Sequence, residues 1–159
     1  MEPKCENNQI IPVKKSQPVF VQPETKPDAE FFFLSNIDQD FAAMIHTVYC
    51  FKPDEEKSTK NVVNVIKEAL AKVLVHFYPL AGNLIIGDNG KFMVKCTNEG
   101  VPFVEAEADC DLDALGDVTI PDLDVVGNLV HTIPGAKYVL QMPLLTIQVY
   151  GFLHLLDRI

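Results

Sequence analysis

Tryptophan is absent from the 159 residues. So are any Cys-x-x-Cys pair, any Asn-x-Ser/Thr sequon and any basic run longer than Lys14-Lys15. Each absence closes a class of function. The formal net charge is -9 with a sequence pI near 4.8. An acidic chain without a Lys/Arg patch does not suit nucleic acid or an anionic membrane surface, because both demand clustered positive charge. The four cysteines (Cys5, Cys50, Cys96, Cys110) show no disulfide or zinc spacing. Met1 to Gln9 is polar and predicts no secretory signal, so a reducing, cytoplasmic location is expected. Cys50 and Cys96 stand in apolar runs, where a core thiol is the common reading. The longest apolar stretch, Leu144 to Leu156, is broken by Gln148 and His154. It falls short of the roughly 18 residues that a bilayer span needs, so no membrane span is expected.

What remains is ordinary globular material, with 48% hydrophobic and 22% charged residues. Residues 1–12 are expected to form a flexible tail. Val13 to Val21 predicts a strand, placed on an edge because Pro18 cannot donate to a ladder. Phe31 to Leu34 leads into the turn formers Ser35-Asn36-Ile37-Asp38, predicting an ordered loop or the start of a short helix. Ala42 to Phe51 is rich in β-branched and aromatic residues and predicts a strand. The spacing of Val62, Ile66, Ala69, Leu70, Val73, Leu74 and Phe77 predicts a helix from about Thr59 to Phe77, capped by Ser58 or Thr59 and closed by Pro79. Asn89-Gly90 between apolar runs predicts a hairpin joining Asn83–Ile86 to Lys91–Cys96, with both turn residues at positive φ. Val101 to Ala108 and Leu144 to Phe152 predict two further strands. A short helix is expected around Leu112 to Leu115, and Pro134-Gly135 marks a turn. Strands and helices mix without strict βαβ alternation, which points to an α/β class, a mixed-sheet sandwich.

The chemistry-bearing clusters fail one by one. Asp109-x-Asp111-x-Asp113 opens like a calcium loop, but Ala114 and Ile120 stand where glycine and glutamate are needed. The acidic run from Glu105 to Asp124 therefore suits a solvated surface. Gly82 and Gly87 have P-loop spacing, yet Asp88-Asn89 follows instead of Lys and Ser/Thr. His46 and His76 lie in apolar segments and are expected to be core or pocket-lining. His154 and Asp157 make a His-x-x-Asp pair close to the last residue, too slight a motif to assign catalysis. No catalytic residue and no metal site is assigned.

Four blocks of sequence do carry a resemblance. Phe33-Leu34-Ser35-Asn36-Ile37-Asp38 resembles the Leu-Ser-x-Leu-Asp segment of the BAHD acyltransferases. Leu74-Val75-His76-Phe77-Tyr78-Pro79-Leu80-Ala81-Gly82-Asn83-Leu84 resembles their Tyr-Pro-Leu-Ala-Gly-Arg-Leu block. Asn98 to Ala106 is similar to their Gly-Glu-Gly-Val-x-Phe-Val-Glu-Ala strand, and Pro143 to Val149 to the strand that leads toward their active site. The similarity runs from about Pro12 to Val149. Within the family, Val13 to Ser16, Asn36 to Gln39, Val73 to His76 and Glu105 to Cys110 look closest to members that use hydroxycinnamoyl-CoA.

The resemblance implies the N-terminal half of the chloramphenicol-acetyltransferase-like fold, incomplete. It divides the chain into a tail (1–12), a partial domain (13–149) and a divergent segment (150–159). It further implies transfer of a feruloyl-type group from acyl-CoA, a co-substrate with no resident cofactor, to a long-chain hydroxy acid or fatty alcohol. Family members are usually monomeric. The family's His-x-x-x-Asp motif, whose histidine deprotonates the acceptor hydroxyl, is not matched here, and the Asp-Phe-Gly-Trp-Gly segment is missing with tryptophan itself. The chain alone is therefore expected to be inactive, a truncated member or a non-catalytic binding fragment. By the same resemblance, Ser35, Asn36 and Asp38 line the acceptor side of the pocket. A capped turn holding a short helix is the alternative for these three. Asn83 replaces the usual arginine, leaving a local salt bridge in doubt.

Overall fold

A computed structural model describes residues 13–40, 43–51, 61–108, 127, 129–131, 133 and 135–152. The expected tail, the Ser58/Thr59 cap, the Leu112–Leu115 helix, most of the acidic run and the His154/Asp157 pair lie outside the described residues.

The organising element is β6 (Val101–Ala108), the longest strand. On one side it pairs antiparallel with β1 (Val13–Lys15) and β2 (Val19–Val21). On the other it pairs in parallel with β7 (Ile147–Phe152). β1 and β2 are one edge strand interrupted by a bulge. Lys15 faces Ala106 and Val19 faces Phe103, so three residues oppose two. Ser16 fills the bulge: its backbone N–H donates to Glu105 O at 2.8 Å, and its Oγ accepts from Glu105 N at 3.1 Å. Pro18 sits in this interruption, where no ladder bond is asked of it.

Alternation along β6 sorts the two faces. Val101 and Phe103 point to the face that packs on α2 (Val62–His76), with Ile147 and Val149 of β7 beside them. Leu70 and Leu74 meet this layer, joined by half-buried Val63, Ile66 and Ala71. Val104, Ala106 and Ala108 face the opposite side, and Leu129 is buried as they are. There Gln148 Nε2 and Tyr150 OH both donate to Leu129 O at 2.7 Å, holding that segment against the sheet.

The helix differs from its expected register. Its buried row is Leu70 and Leu74, with Val63 and Ile66, while Val62, Val73 and Phe77 are 42%, 50% and 58% exposed. The apolar arc of α2 is wider than one sheet face can cover, so periodicity alone did not choose which half is buried. The helix ends at His76, with Phe77 N donating to Val73 O at 3.0 Å, and Tyr78–Ala81 then tighten into a 3-10 turn around Pro79.

A second sheet carries β3 (Phe31–Phe33), β5 (Phe92–Lys95) and β4 (Asn83–Ile86), all antiparallel, in that order. The β4–β5 hairpin forms as expected, but only Gly90 takes positive φ, at 74°. Gly90 N closes the turn on Gly87 O, and Asn89 instead uses its side chain to accept from Lys91 N.

Of the strand expected over residues 42–51, the described part, 43–51, forms none. Residues 43–51 have no strand or helix, and Ile45, Tyr49 and Phe51 are 68%, 76% and 82% exposed. Strand composition does not make a strand without an edge to pair with. His46 and Cys50 in this segment are exposed, not core groups, and His76 is exposed on α2. The thiol of half-buried Cys96 is pushed up by burial.

Candidate functional site

A candidate site among the described residues lies where α1 (Asn36–Asp40) meets the β4–β5 hairpin. Ser35 and Asp38 form a reciprocal cap. Asp38 Oδ2 accepts from Ser35 N at 3.0 Å and from Ser35 Oγ at 2.7 Å. Asp38 N in turn points at Ser35 Oγ, at 3.4 Å. The spacing works because a carboxylate three residues on folds back over the first turn. The capped turn expected for this segment is thus present.

Gln39 fastens α1 to the sheet. Its Nε2 donates to Phe92 O and its Oε1 accepts from Phe92 N, both at 2.7 Å. The side-chain amide thereby imitates a strand partner for the first residue of β5. Lys91 Nζ donates to Asn36 Oδ1 at 3.2 Å, closing a second link. Between these links lies a shallow hollow lined by Phe33, Leu34, Gln39, Asn89, Lys91, Phe92 and Met93. Of the three expected residues, none lines the hollow: Ser35 and Asp38 bond to each other, and Asn36 meets it only through Lys91. Gln39 and Lys91 were not singled out in sequence. Their partners are 53 and 55 positions away, and no local pattern signals such a pairing.

The hollow can offer an ammonium, an amide and aromatic edges. It holds no base poised to take a proton, and no cluster of three or more metal-ligating side chains occurs among the described residues.

The family block around Tyr78 to Leu84 explains itself sterically. A Cβ at Gly82 would lie 2.4 Å from Lys95 O, so only glycine lets β4 start this close to β5. Asn83 donates from Nδ2 to Glu99 Oε2 at 3.0 Å, a hydrogen bond assisted by the carboxylate charge. Beside β6, Lys67 pairs with Glu105 and lies 5.1 Å from the centre of the Phe103 ring. Among the described residues no helix is long and apolar enough to cross a membrane.

Comparison with known proteins accords with this architecture. The chain is 48% identical over 142 residues to the omega-hydroxypalmitate O-feruloyl transferase of Arabidopsis thaliana, covering 89% of this chain and 31% of that protein. It is 39% identical over 144 residues to the Arabidopsis thaliana fatty alcohol:caffeoyl-CoA acyltransferase, covering 88% and 33%. The crystal structure of vinorine synthase superposes with a TM-score of 0.61 at 26% identity, over 89% of this chain and 35% of that one. The mixed α/β layers are therefore those of one part of that larger fold, and the chain spans about a third of the length of the curated relatives it matches. The Transferase family model matches residues 11–153, and the chain belongs to that family, the BAHD acyltransferases.

Proposed function

We propose that this chain is the amino-terminal third of a hydroxycinnamoyl-CoA-dependent O-acyltransferase whose acceptor is a long-chain hydroxy acid or fatty alcohol. The observation that carries the reading is the 48% identity to a feruloyl transferase acting on omega-hydroxypalmitate, with a caffeoyl-CoA enzyme next at 39%. In such a reaction a histidine removes the acceptor hydroxyl proton, the alkoxide oxygen attacks the thioester carbonyl, and the C–S bond breaks to release CoA, which takes up the proton. The lining of the hollow includes no histidine. On this reading the base comes from the family's His-x-x-x-Asp motif, which this sequence does not match, and the 159-residue chain by itself is inactive. Residues 13–149 act as the partial domain, with 1–12 and 150–159 as flanking segments, and the protein works in the cytoplasm.

In this reading Ser35, Asn36 and Asp38 shape the acceptor side indirectly. The Ser35–Asp38 cap sets α1, and Asn36 steers Lys91 toward the hollow. Asp38 is the more structural of the three, because its carboxylate oxygen is already occupied. A second reading, a non-catalytic binding fragment, is favoured by the exposed apolar flank of α2. The test incubates the purified chain with feruloyl-CoA and omega-hydroxypalmitate, alone and joined to the remaining two thirds of the Arabidopsis thaliana feruloyl transferase. Turnover only in the joined protein is expected. Turnover by the chain alone would overturn the inactivity, and none in a folded joined protein would overturn the assignment.

A further inference from the structure

The face of the sheet turned away from α2 carries a short crossing segment. Register places Lys15 of β1, Ala106 of β6 and Tyr150 of β7 in one row, and Val104 with Gln148 in a neighbouring one. Alternation sends all of these side chains to the same face. Ala106 and Ala108 are small, so the row makes a trough with Lys15 at one wall and Tyr150 at the other. Residues 129–131 lie across it. Leu129 is 5% exposed, and its carbonyl accepts from Gln148 Nε2 and Tyr150 OH. From the opposite wall Lys15 Nζ donates to the next carbonyl, Val130 O, at 2.9 Å. Side chains of β1 and β7 thus grip two successive carbonyls between them.

The grip is incomplete. Gln148 Oε1 is buried with no hydrogen-bond partner among the described residues, a cost that favours opening. His131 follows the gripped Val130 and is half-buried. The Lys15 ammonium that holds Val130 O also acts on the His131 imidazole. Among the described residues this face brings no carboxylate to offset that charge. From β1 it receives Val13 and Lys15, from β6 Val104, Ala106 and Ala108, and from β7 Gln148 and Tyr150. Glu105 and Glu107 alternate to the α2 face, where Glu105 pairs with Lys67 and Lys14 stands opposite Glu107. A proton on His131 therefore sets a second, partly desolvated cation near the first.

We propose that residues 129–131 form a pH-sensitive strap, latched over the sheet by Lys15, Gln148 and Tyr150 and released when His131 takes up a proton from solvent. Burial first, and the Lys15 charge second, hold the His131 imidazole below its ordinary value of 6.5. In the released strap the ring meets water and binds its proton at the ordinary value. Latching is thus whole above about pH 6.5 and is lost as pH falls through the latched value. Release uncovers Ala106, Gln148 and Tyr150. The α2 layer stays in place, because it packs on the other face of β6. The inference does not depend on the proposed reaction.

The test follows the dilute 159-residue chain by NMR between about pH 8 and about pH 5. As pH falls, the Leu129 methyl signals should move toward their unfolded positions in step with titration of the His131 ring. The Val130 amide, which donates to Gly127 O, should lose exchange protection over the same range. The Leu74 methyl signals of α2 should hold. His131→Gln should abolish the response, and His76→Gln, at an exposed site on α2, should leave it intact. Lys15→Met removes the ammonium and should raise the pH at which the His131 ring titrates. A response that survives His131→Gln, a native imidazole titrating at 6.5 or above, Leu129 signals unmoved down to about pH 5, or Leu74 lost together with Leu129 would each overturn the proposal.

Discussion

At Gly82 a single missing methyl group decides whether two strands can meet. The position opens β4, and a Cβ would lie 2.4 Å from Lys95 O and 2.9 Å from a Val94 methyl. Backbone, not a movable side-chain end, is the nearer obstacle, so Gly82→Ala must push the strands apart. A loss of about 1–3 kcal/mol is expected by urea unfolding. Gln39→Ala should cost a similar amount, about 1–3 kcal/mol, because it orphans both polar groups of Phe92 at once. Gln39→Glu should fall between, since only one of the two bonds is lost as an acceptor facing an acceptor. Tyr150 offers a test by pH. Burial lifts its hydroxyl to about 12, while a hydrogen bond from Gln148 pulls the other way. The folded chain then holds this proton after the unfolded chain, near 10, has released it. Between these values the unfolded state binds fewer protons, so stability is whole below about pH 10 and falls as pH rises toward 12. Tyr150→Phe should flatten that decline in urea midpoints measured across the range, and phenolate absorbance should report the late titration directly.

Between elements, α2 is where expectation and structure can be set against each other by mutation. Leu74 is 1% exposed and Val73 50%. Leu74→Ala should therefore cost about 2–5 kcal/mol through its cavity, whereas Val73→Ala should stay within about 0.5 kcal/mol. The sequence pattern placed both on one buried face. It was right that an amphipathic helix exists and wrong about the width of its covered side, because coverage depends on the sheet beneath and not on the helix. The same reasoning explains the other elements. The β4–β5 hairpin and β6 were legible because their signals are local: Asn89-Gly90 for the turn, alternation for the strand. Phe31–Phe33 was passed over as a strand because three residues show no period, and only pairing with β5 extends them. The strand expected over Ala42 to Phe51 does not form across the described 43–51, since nothing local supplies an edge. At the candidate site the Ser35–Asp38 cap lay in plain view in its spacing. The Gln39 and Lys91 links did not, because they bridge more than fifty residues.

At the scale of the molecule, the described residues bury one face of β6 under α2 and leave large apolar side chains exposed. Phe33 is 76% exposed and Ile37 83%, on β3 and α1, far in sequence from the α2 flank and β7. Open edges and uncovered aromatics together favour association of whatever kind is at hand. The isolated chain is therefore expected to bind a hydrophobic dye while folded, and to sediment as larger species with rising concentration despite its net charge of -9. The charge resists this but is spread over the surface, and salt within a Debye length of about 8 Å screens it. Higher ionic strength should accordingly worsen association. Val65→Lys with Val73→Lys should raise the monomer fraction of the isolated chain, because lysine is well hydrated where nothing covers it. A chain that stayed monomeric and dye-free at high salt, unaffected by the double change, would mean that these faces are already satisfied within the molecule.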